Sequence, residues 1–195
     1  AAVASEEGNI PVQVFAYDQT MEAIYDGRIR DFPTAAARLT QREALGASDL
    51  SMALEGLQDA RVHDRLLLVT DGIFTAGDTD AEGLHPALIA LSLERLDVLV
   101  DGGIRDEDAL SGLVTAGLKQ DGLVIESSSA PQDVARRLTR ATASGIDVDV
   151  PGAEWFWPTV LDGVQSGDDQ LIYAKMADGR PMQVTMDGAV VEQPI

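Results

Sequence analysis

The amino-acid sequence predicts an α/β protein in which a doubly wound, mostly parallel sheet (Rossmann-like) is followed by a short β-rich segment. Two observations support this fold class. Short apolar runs typical of buried strands alternate with helical stretches of about 10–15 residues, which is the order that βαβ units produce. The alternation stops near Gly145, after which no helical period is found. We therefore predict an α/β domain over residues 1–145 and a β-rich segment over residues 146–195.

The first elements are expected to be a hairpin and two helices. VQVFAYD at residues 12–18 predicts a strand, and MEAIYDG follows so closely that the two segments can pair as an edge hairpin. Helices are predicted over residues 34–45 and 46–60. Three leucines share one face of the second helix: Leu50, Leu54 and Leu57.

The alternation of strands and helices continues from RLLLVTDG, which predicts a buried strand. Helices are predicted at TDAEGLHPALIALSLE, DEDALSGLVTAGL and APQDVARRLTRAT, and strands at LDVLVDGG and DGLVIE. Pro86 is expected in the first turn of its helix, where a missing N–H is tolerated. Acidic residues open the helix at DEDAL, which complements the helix dipole.

The last 50 or so residues predict short strands, QLIYAKM and PMQVTMDG, separated by turns such as QSGDD and ADGR. A β segment of this size is too short to build a two-layer core of its own comfortably. We therefore expect it to pack on the α/β domain or to complete a β structure that begins elsewhere.

The composition excludes several classes of function. The net charge is −19, from 14 basic and 33 acidic residues, so nucleic acid is a poor partner. The same charge suits a cation, a cationic partner or simple solubility. There is no cysteine, which excludes disulfides, zinc–thiolate sites and thiol catalysis. No apolar run reaches the roughly 18 residues of a membrane span, and residues 1–10 lack the pattern of a signal peptide.

The best candidate for a functional residue is Asp71, which ends the apolar strand RLLLVTDG. In doubly wound sheets, ligands bind at the carboxyl ends of the strands. The loop LGASDL should reach the same edge, so that the hydroxyl of Ser48 and the carboxylate of Asp71 can converge. Oxygen ligands of this kind suit Mg²⁺, or else Ca²⁺ or Mn²⁺. Alternatively, Asp71 caps only the following loop and Ser48 is a helix N-cap.

Four neighbours complete the candidate site, each with a simpler structural role as its alternative. Asp49 either caps the helix or lies behind the metal ligands. Asp18 either lines the same edge of the sheet or is a turn residue. Gly72 shapes the loop beside Asp71, and Asp78 is solvated or contacts a metal-bound water.

Other polar and aromatic residues are expected to be structural. Asp101 follows its strand as a turn residue. His63 and His85 lack the spacing of paired metal ligands, so both are read as structural. Trp155, Phe156 and Trp157 could form a binding patch, but we expect them to anchor the core of the β segment, because large aromatic side chains dominate burial.

The motifs LGASDLSMAL, LLLVTDGIFTAGD and VLVDGGIRDEDALSGLVTAG, in this order, resemble a von Willebrand factor type A domain over about residues 10–142. The resemblance implies that the loop of Ser48 and the Thr70-Asp71-Gly72 turn correspond to the second and third motifs of that family's metal-ion-dependent adhesion site. WPTVLDGVQSGDDQLIYAKMADGRPMQVTMDG is similar to the region after the A domain in proteins that also carry a vault/inter-alpha-trypsin (VIT) domain.

The chain departs from the family at its start. The first metal motif, Asp-x-Ser-x-Ser, and the central strand that it ends are absent from the 195 residues. VQVFAYD and RLLLVTD would then lack their shared neighbour, and unpaired backbone groups inside a sheet are costly. We expect a separate upstream peptide to supply the strand, or the chain to rearrange or pair with itself.

The resemblance implies a non-enzymatic, adhesion-type module that binds an exposed carboxylate of a protein ligand through a divalent cation. One alternative is an interaction scaffold with a degenerate, metal-free site. Another is a hydrolase that uses Asp71, although the sequence has no P-loop, Gly-x-Gly-x-x-Gly or Gly-x-Ser-x-Gly motif. By resemblance the protein is expected outside the cell, at its surface or in a periplasm.

Overall fold

The computed structural model of the protein describes residues 10–43, 46–60, 63–103, 105–177 and 182–191. The chain divides into two compact units, Ala1–Arg140 and Ala141–Ile195. The first unit contains, in chain order, β1 (Pro11–Tyr17), β2 (Met21–Arg28), a 3₁₀ helix (Ile29–Thr34), α1 (Ala36–Gln41), α2 (Leu50–Gln58), β3 (Arg65–Thr70), α3 (Ala81–Ala90), β4 (Arg95–Val100), α4 (Glu107–Val114), β5 (Val124–Glu126) and α5 (Pro131–Thr139). The second contains β6 (Ile146–Asp149), β7 (Ala153–Trp157), β8 (Val160–Leu161), β9 (Tyr173–Met176), β10 (Val184–Met186) and β11 (Ala189–Val191). The domain division predicted at residue 145 stays a prediction.

The first unit has a mixed α/β fold built on a small parallel sheet that is flanked by helices. β3, β4 and β5 lie side by side in that order, with Leu68 opposite Val98 and Val98 opposite Val124. β1 and β2 form a separate antiparallel hairpin, which confirms the pairing predicted for these segments. The described sheets of the second unit are antiparallel, so its predicted β-rich character is confirmed.

The core of the first unit forms where helices place their apolar faces against the parallel sheet. α2 buries Leu50, Leu54 and Leu57, the face that the sequence predicts. Burying a leucine side chain stabilises a fold by about 1.5–3 kcal/mol. Phe15 and Tyr17 of β1 pack against the same cluster. The hairpin therefore shares a core with the parallel sheet, although β1 is not paired with β3.

Two helix predictions need correction. The helix predicted over residues 34–45 consists of the end of the 3₁₀ helix and the short α1, because Arg42 adopts an extended conformation after Gln41. Residues 44 and 45 lie outside the described part. Pro86 lies in the second turn of α3 rather than the first, because Asp80 caps that helix by accepting a hydrogen bond from Gly83 N–H.

A buried carboxylate ties the amino end of the parallel sheet together. Asp97 on β4 is 1% exposed, as is Arg95. Its Oδ1 accepts from Nε and Nη2 of Arg95 at 2.8 and 2.6 Å, and its Oδ2 accepts from Nη2 of Arg65 on β3 at 2.7 Å. The N–H of Leu123, just before β5, also donates to Asp97, and Nη1 of Arg95 donates to the carbonyl of Arg140. This Asp97 network thus joins all three parallel strands to the end of α5.

The second unit has a small apolar core of its own, formed by buried side chains that include Val148, Val150, Leu161 and Val184. Phe156 packs against this cluster as predicted. The expectation that Trp155 and Trp157 also anchor the core is wrong, since they are 56% and 57% exposed. The alternation of β7 explains the difference, because successive side chains of a strand point to opposite faces.

Some predictions fall on residues that the structure does not describe. These are most of the turn ADGR (177–180) and residues 1–9, which bear on the expectation about a signal peptide. Within the described residues, no helix is long and apolar enough to cross a membrane.

We predict that Asp97→Asn destabilises the first unit by about 3–5 kcal/mol, because it leaves the buried Arg95 guanidinium without its counter-ion. Urea unfolding followed by the helical circular dichroism signal would measure this loss, since the described helices all lie in the first unit. The control is Glu94→Gln, which removes an exposed ion pair with Lys119 and should cost less than about 1 kcal/mol. Equal effects of the two substitutions would contradict a structural role for the Asp97 network.

Candidate functional site

Three loops meet at the carboxyl end of β3. We call them together the loop edge: residues 18–20 after β1, residues 46–49 before α2, and residues 71–80 after β3. The N–H of Asp49 donates to the carbonyl of Asp18 at 3.0 Å. The carbonyl of Ser48 accepts from the N–H groups of Thr75 and Ala76, both at 3.2 Å, and the N–H of Ser48 donates to Oγ1 of Thr75 at 2.9 Å. Backbone hydrogen bonds therefore hold the predicted site loops against each other.

Asp71 follows the last residue of β3 and is exposed. Its Oδ1 accepts a hydrogen bond from the N–H of Ile73 at 3.1 Å, which is the loop-capping role that the sequence left open. Its other carboxylate oxygen has no hydrogen bond to any described residue. Oγ1 of Thr70 accepts from the N–H of Gly72 at 3.1 Å. The side chains of the Thr-Asp-Gly turn thus fix its backbone and leave one oxygen of Asp71 open.

Ser48 is half-buried, and its backbone groups are both bonded to the loop after β3. Its hydroxyl has no hydrogen-bond partner within the described residues. The N-cap of α2 is the next residue, Asp49, so the alternative role of Ser48 as that cap is wrong. The hydroxyl of Ser48 remains available as a ligand.

Asp49 is a helix cap. Its Oδ1 accepts from the N–H of Met52 at 2.9 Å and from Oγ of Ser51 at 2.7 Å. These hydrogen bonds, that of Met52 first, lower the pKa of the Asp49 carboxyl against the opposing effect of burial. Asp49 therefore fixes the start of α2, which in turn fixes the position of Ser48.

Asp18 is buried and paired with a cation. Nη1 of Arg42 lies 2.7 Å from its Oδ2, and the N–H of Thr20 donates to its Oδ1 at 3.0 Å. The hydrogen bond to Asp18 is the main cause that raises the pKa of Arg42. Asp18 therefore serves the turn between β1 and β2, the role preferred from the sequence, while its carbonyl supports Asp49.

Gly72 is buried and has a φ of +83°, a conformation that side chains other than glycine rarely adopt. A Cβ atom there would lie 2.9 Å from Cβ of Arg105. The two residues line an open cleft of about 770 Å³ together with Ile73, Phe74, Thr79, Asp106, Glu107 and Asp108. Gly72 therefore brings the turn after β3 close to the loop after β4.

Arg105, which lines this cleft, was not predicted from the sequence. Its guanidinium forms ion pairs with Glu126 at the end of β5 and with Glu107, and the hydrogen bond to Glu126 is the main cause that raises its pKa. One signal was available in the sequence: Arg105 is the basic residue between the Gly-rich turn after β4 and the acidic run that opens α4.

The remaining candidates have structural contacts of their own in the first unit. Asp78 is exposed, and its N–H donates to Oγ of Ser51 at 3.3 Å. Oδ1 of Asp101 accepts from Oγ of Ser127 at 2.5 Å, which links the ends of β4 and β5. Nε2 of His85 lies 3.1 Å from the carbonyl oxygen of Gly112, a contact between α3 and α4.

The chemistry of the donors limits what cation the loop edge could hold. In the described part of the chain, no group of three His, Cys, Asp or Glu residues is placed to hold a metal ion. Ser48 and Asp71 supply a hydroxyl and a carboxylate oxygen. Donors of these types suit a hydrated Mg²⁺, which keeps several waters and needs only one or two carboxylates. They suit Ca²⁺ less well, because Ca²⁺ takes six to eight oxygen ligands.

Comparison of the chain with models of known protein families and with curated proteins found no match.

We predict that Asp49→Ala destabilises the first unit by about 1 kcal/mol at neutral pH, because α2 loses its cap. The carboxyl of Asp49 has a lowered pKa in the folded state, so its stabilisation is present above the unfolded pKa of about 3.9 and is lost as the pH falls through the folded value. The difference between wild type and Asp49→Ala should therefore shrink below about pH 4. Urea unfolding at several pH values measures it.

Asp49→Asn is the matched control, because asparagine caps a helix without titrating. The difference in stability between Asp49→Asn and Asp49→Ala should stay the same across this pH range. A cost of Asp49→Ala that does not change with pH would show that the carboxylate is not the cap.

Proposed function

We propose that the protein is a binding module that recognises a protein ligand at the loop edge. The supporting observation is that backbone hydrogen bonds fix the loops of Ser48 and Asp71 to each other, while the hydroxyl of Ser48 and one oxygen of Asp71 stay open. A preformed edge of this kind lowers the entropic cost of binding. No bond is made or broken in this role, so no enzymatic activity is proposed.

We further propose that Ser48 and Asp71 hold a hydrated Mg²⁺, which the exposed carboxylate of the protein ligand would coordinate. A divalent cation bound there supplies positive charge on a surface that is otherwise acidic. Because the net charge of the chain is −19, an acidic ligand would be repelled elsewhere on this surface. Asp71 would contribute the charged ligand and Ser48 the neutral one.

We also propose a specific type of α/β fold for the first unit. We propose a doubly wound sheet of the von Willebrand factor type A kind, in a protein related to those with a VIT domain. Three observations support it: the parallel order β3-β4-β5, the helices between these strands, and the Thr-Asp-Gly turn at the carboxyl end of β3. The extracellular, cell-surface or periplasmic location stays a proposal on the same resemblance.

The edges of β1 and β3 support the expectation that a strand from an upstream peptide completes the sheet. β1 is paired only with β2, and β3 only with β4, among the described strands. We propose that an extended segment pairs with the open sides of both strands.

The second candidate function is an interaction scaffold that works without metal. The hydrogen bonds and ion pairs of the acids near the edge favour it: the carboxylate of Asp18 is paired with Arg42 and that of Asp49 caps α2. In this case Asp71 would serve only to cap its loop. The two candidates share the binding edge and differ in whether Asp71 responds to a cation.

We predict that about 10 mM Mg²⁺ raises the melting temperature of the first unit by about 3–5 °C if the dissociation constant is near 1 mM. Asp71→Ala should abolish this increase. Divalent cations also screen an acidic chain without binding at one site, so the control is Asp64→Ala. Asp64 is an exposed aspartate just before the amino end of β3, and its loss should leave the Mg²⁺ effect intact.

The measurement is the loss of the helical circular dichroism signal on heating, at constant ionic strength. An increase that is the same in Asp71→Ala and Asp64→Ala would contradict the metal site and favour the metal-free scaffold.

A further inference from the structure

The outer surface of the β7–β9 pair in the second unit carries three exposed aromatic side chains. Trp155, Trp157 and Tyr173 are 56%, 57% and 51% exposed. In the register of the two strands, Trp157 lies opposite Tyr173 and Trp155 lies opposite Lys175. We call Trp155, Trp157 and Tyr173 the aromatic face.

These three side chains leave a large apolar area in contact with water. Phe156, between the two tryptophans, packs in the core of the unit, so strand alternation places Trp155 and Trp157 together on the other side. Tryptophan and tyrosine each carry a large apolar area, and both are enriched at binding hot spots. Grouped on one surface, they indicate a binding site rather than scattered exposure.

The spacing of the two tryptophans suits a flat group. Residues two apart in a strand have Cα atoms about 6.6–6.8 Å apart. A planar group stacked between two aromatic rings needs about 3.5 Å on each side, so one such group fits between Trp155 and Trp157. Trp157 is also supported from the neighbouring strand by Tyr173, with ring centroids 6.2 Å apart.

The charge of the second unit favours one kind of flat group. Lys175 Nζ is held by Glu154 Oε2 at 2.6 Å, and among the described residues no cation stacks on the tryptophan rings. The other charged side chains described in this unit are acidic: Asp147, Asp149, Asp162, Asp168, Asp169 and Asp187. An arginine guanidinium is planar and cationic, stacks on aromatic rings and forms forked hydrogen bonds with carboxylates.

We propose that the aromatic face binds an extended peptide segment of a partner protein that presents arginine side chains. One guanidinium stacks between Trp155 and Trp157 and pairs with Glu154 in place of Lys175. A second copy of this chain is a poor occupant, because two chains of charge −19 repel each other. This site lies in the second unit and is independent of the function proposed for the loop edge.

Intrinsic fluorescence tests the proposal directly, because the chain has only two tryptophans and both belong to the aromatic face. The probe is a capped peptide of alternating arginine and serine, compared with lysine–serine and glutamate–serine peptides of equal length. We expect the arginine peptide to change the emission and to bind at least about fivefold more tightly than the lysine peptide, because only the guanidinium stacks as a plane. The glutamate peptide should not bind.

Variants locate the binding, followed by the anisotropy of a labelled arginine peptide. Trp157→Leu should weaken binding by roughly fivefold or more, and Glu154→Gln should weaken it by a smaller factor. The control Val190→Ala removes another exposed apolar side chain, on β11, and should leave the affinity unchanged. Unchanged thermal melting of each variant would show that the second unit still folds.

Four results would overturn the proposal. One is the absence of any emission change with the arginine peptide. Another is equal affinity for the arginine and lysine peptides, which would show attraction by charge alone. The third is equal affinity of Trp157→Leu and wild type. Binding of a neutral oligosaccharide in place of the arginine peptide would identify the face as a sugar platform and would equally contradict the proposal.

Discussion

Backbone pairing of β3 is the constraint on which the first unit depends. β3 pairs with β4 along one side, and its carboxyl end carries the turn that presents Asp71. Its other side has no partner among the described strands. Leu67 and Val69 of this strand are 40% and 59% exposed. Because backbone groups inside a sheet are nearly always paired, the open side of β3 is the feature that most needs a partner.

The amino and carboxyl ends of β3 are held in different ways. At the amino end, the Asp97 network fixes β3 to β4 through Arg65, and burial makes this arrangement costly to break. At the carboxyl end, exposed loops are joined by backbone hydrogen bonds and by the cap at Asp49. A rigid end and a loop end on one strand are the usual division between scaffold and binding site.

The mixed α/β class, the β1–β2 hairpin and the apolar face of α2 could be predicted from the sequence, because apolar periodicity records burial directly. The roles of the acidic residues could not. Asp49, Asp80 and Asp106 all accept hydrogen bonds from helix N–H groups. The sequence alone does not distinguish an aspartate that caps a helix from one that binds a metal. Only the three-dimensional contacts separate the two roles.

Contacts between residues that are distant in sequence could not be predicted for a related reason. Arg105 and Glu126 are far apart in sequence and meet only because β4 and β5 are neighbours. Trp155 and Trp157 were expected in the core because of their size, whereas β7 turns Phe156 inward and exposes its neighbours. The alternation of β7 predicts that one face is buried and the other exposed, but it does not predict which. Here the larger side chains lie on the exposed face.

Amide hydrogen exchange of β3, measured residue by residue on the 195-residue chain, shows whether the second side of this strand is open. The carbonyl of Thr70 accepts from the N–H of Asp101 on the β4 side, so strand alternation directs the N–H groups of Leu67 and Val69 to the open side. We predict that these two amides exchange at least about 100-fold faster than that of Leu68, which faces β4. Equal protection of all three would contradict it, because the open side of β3 would then already be paired.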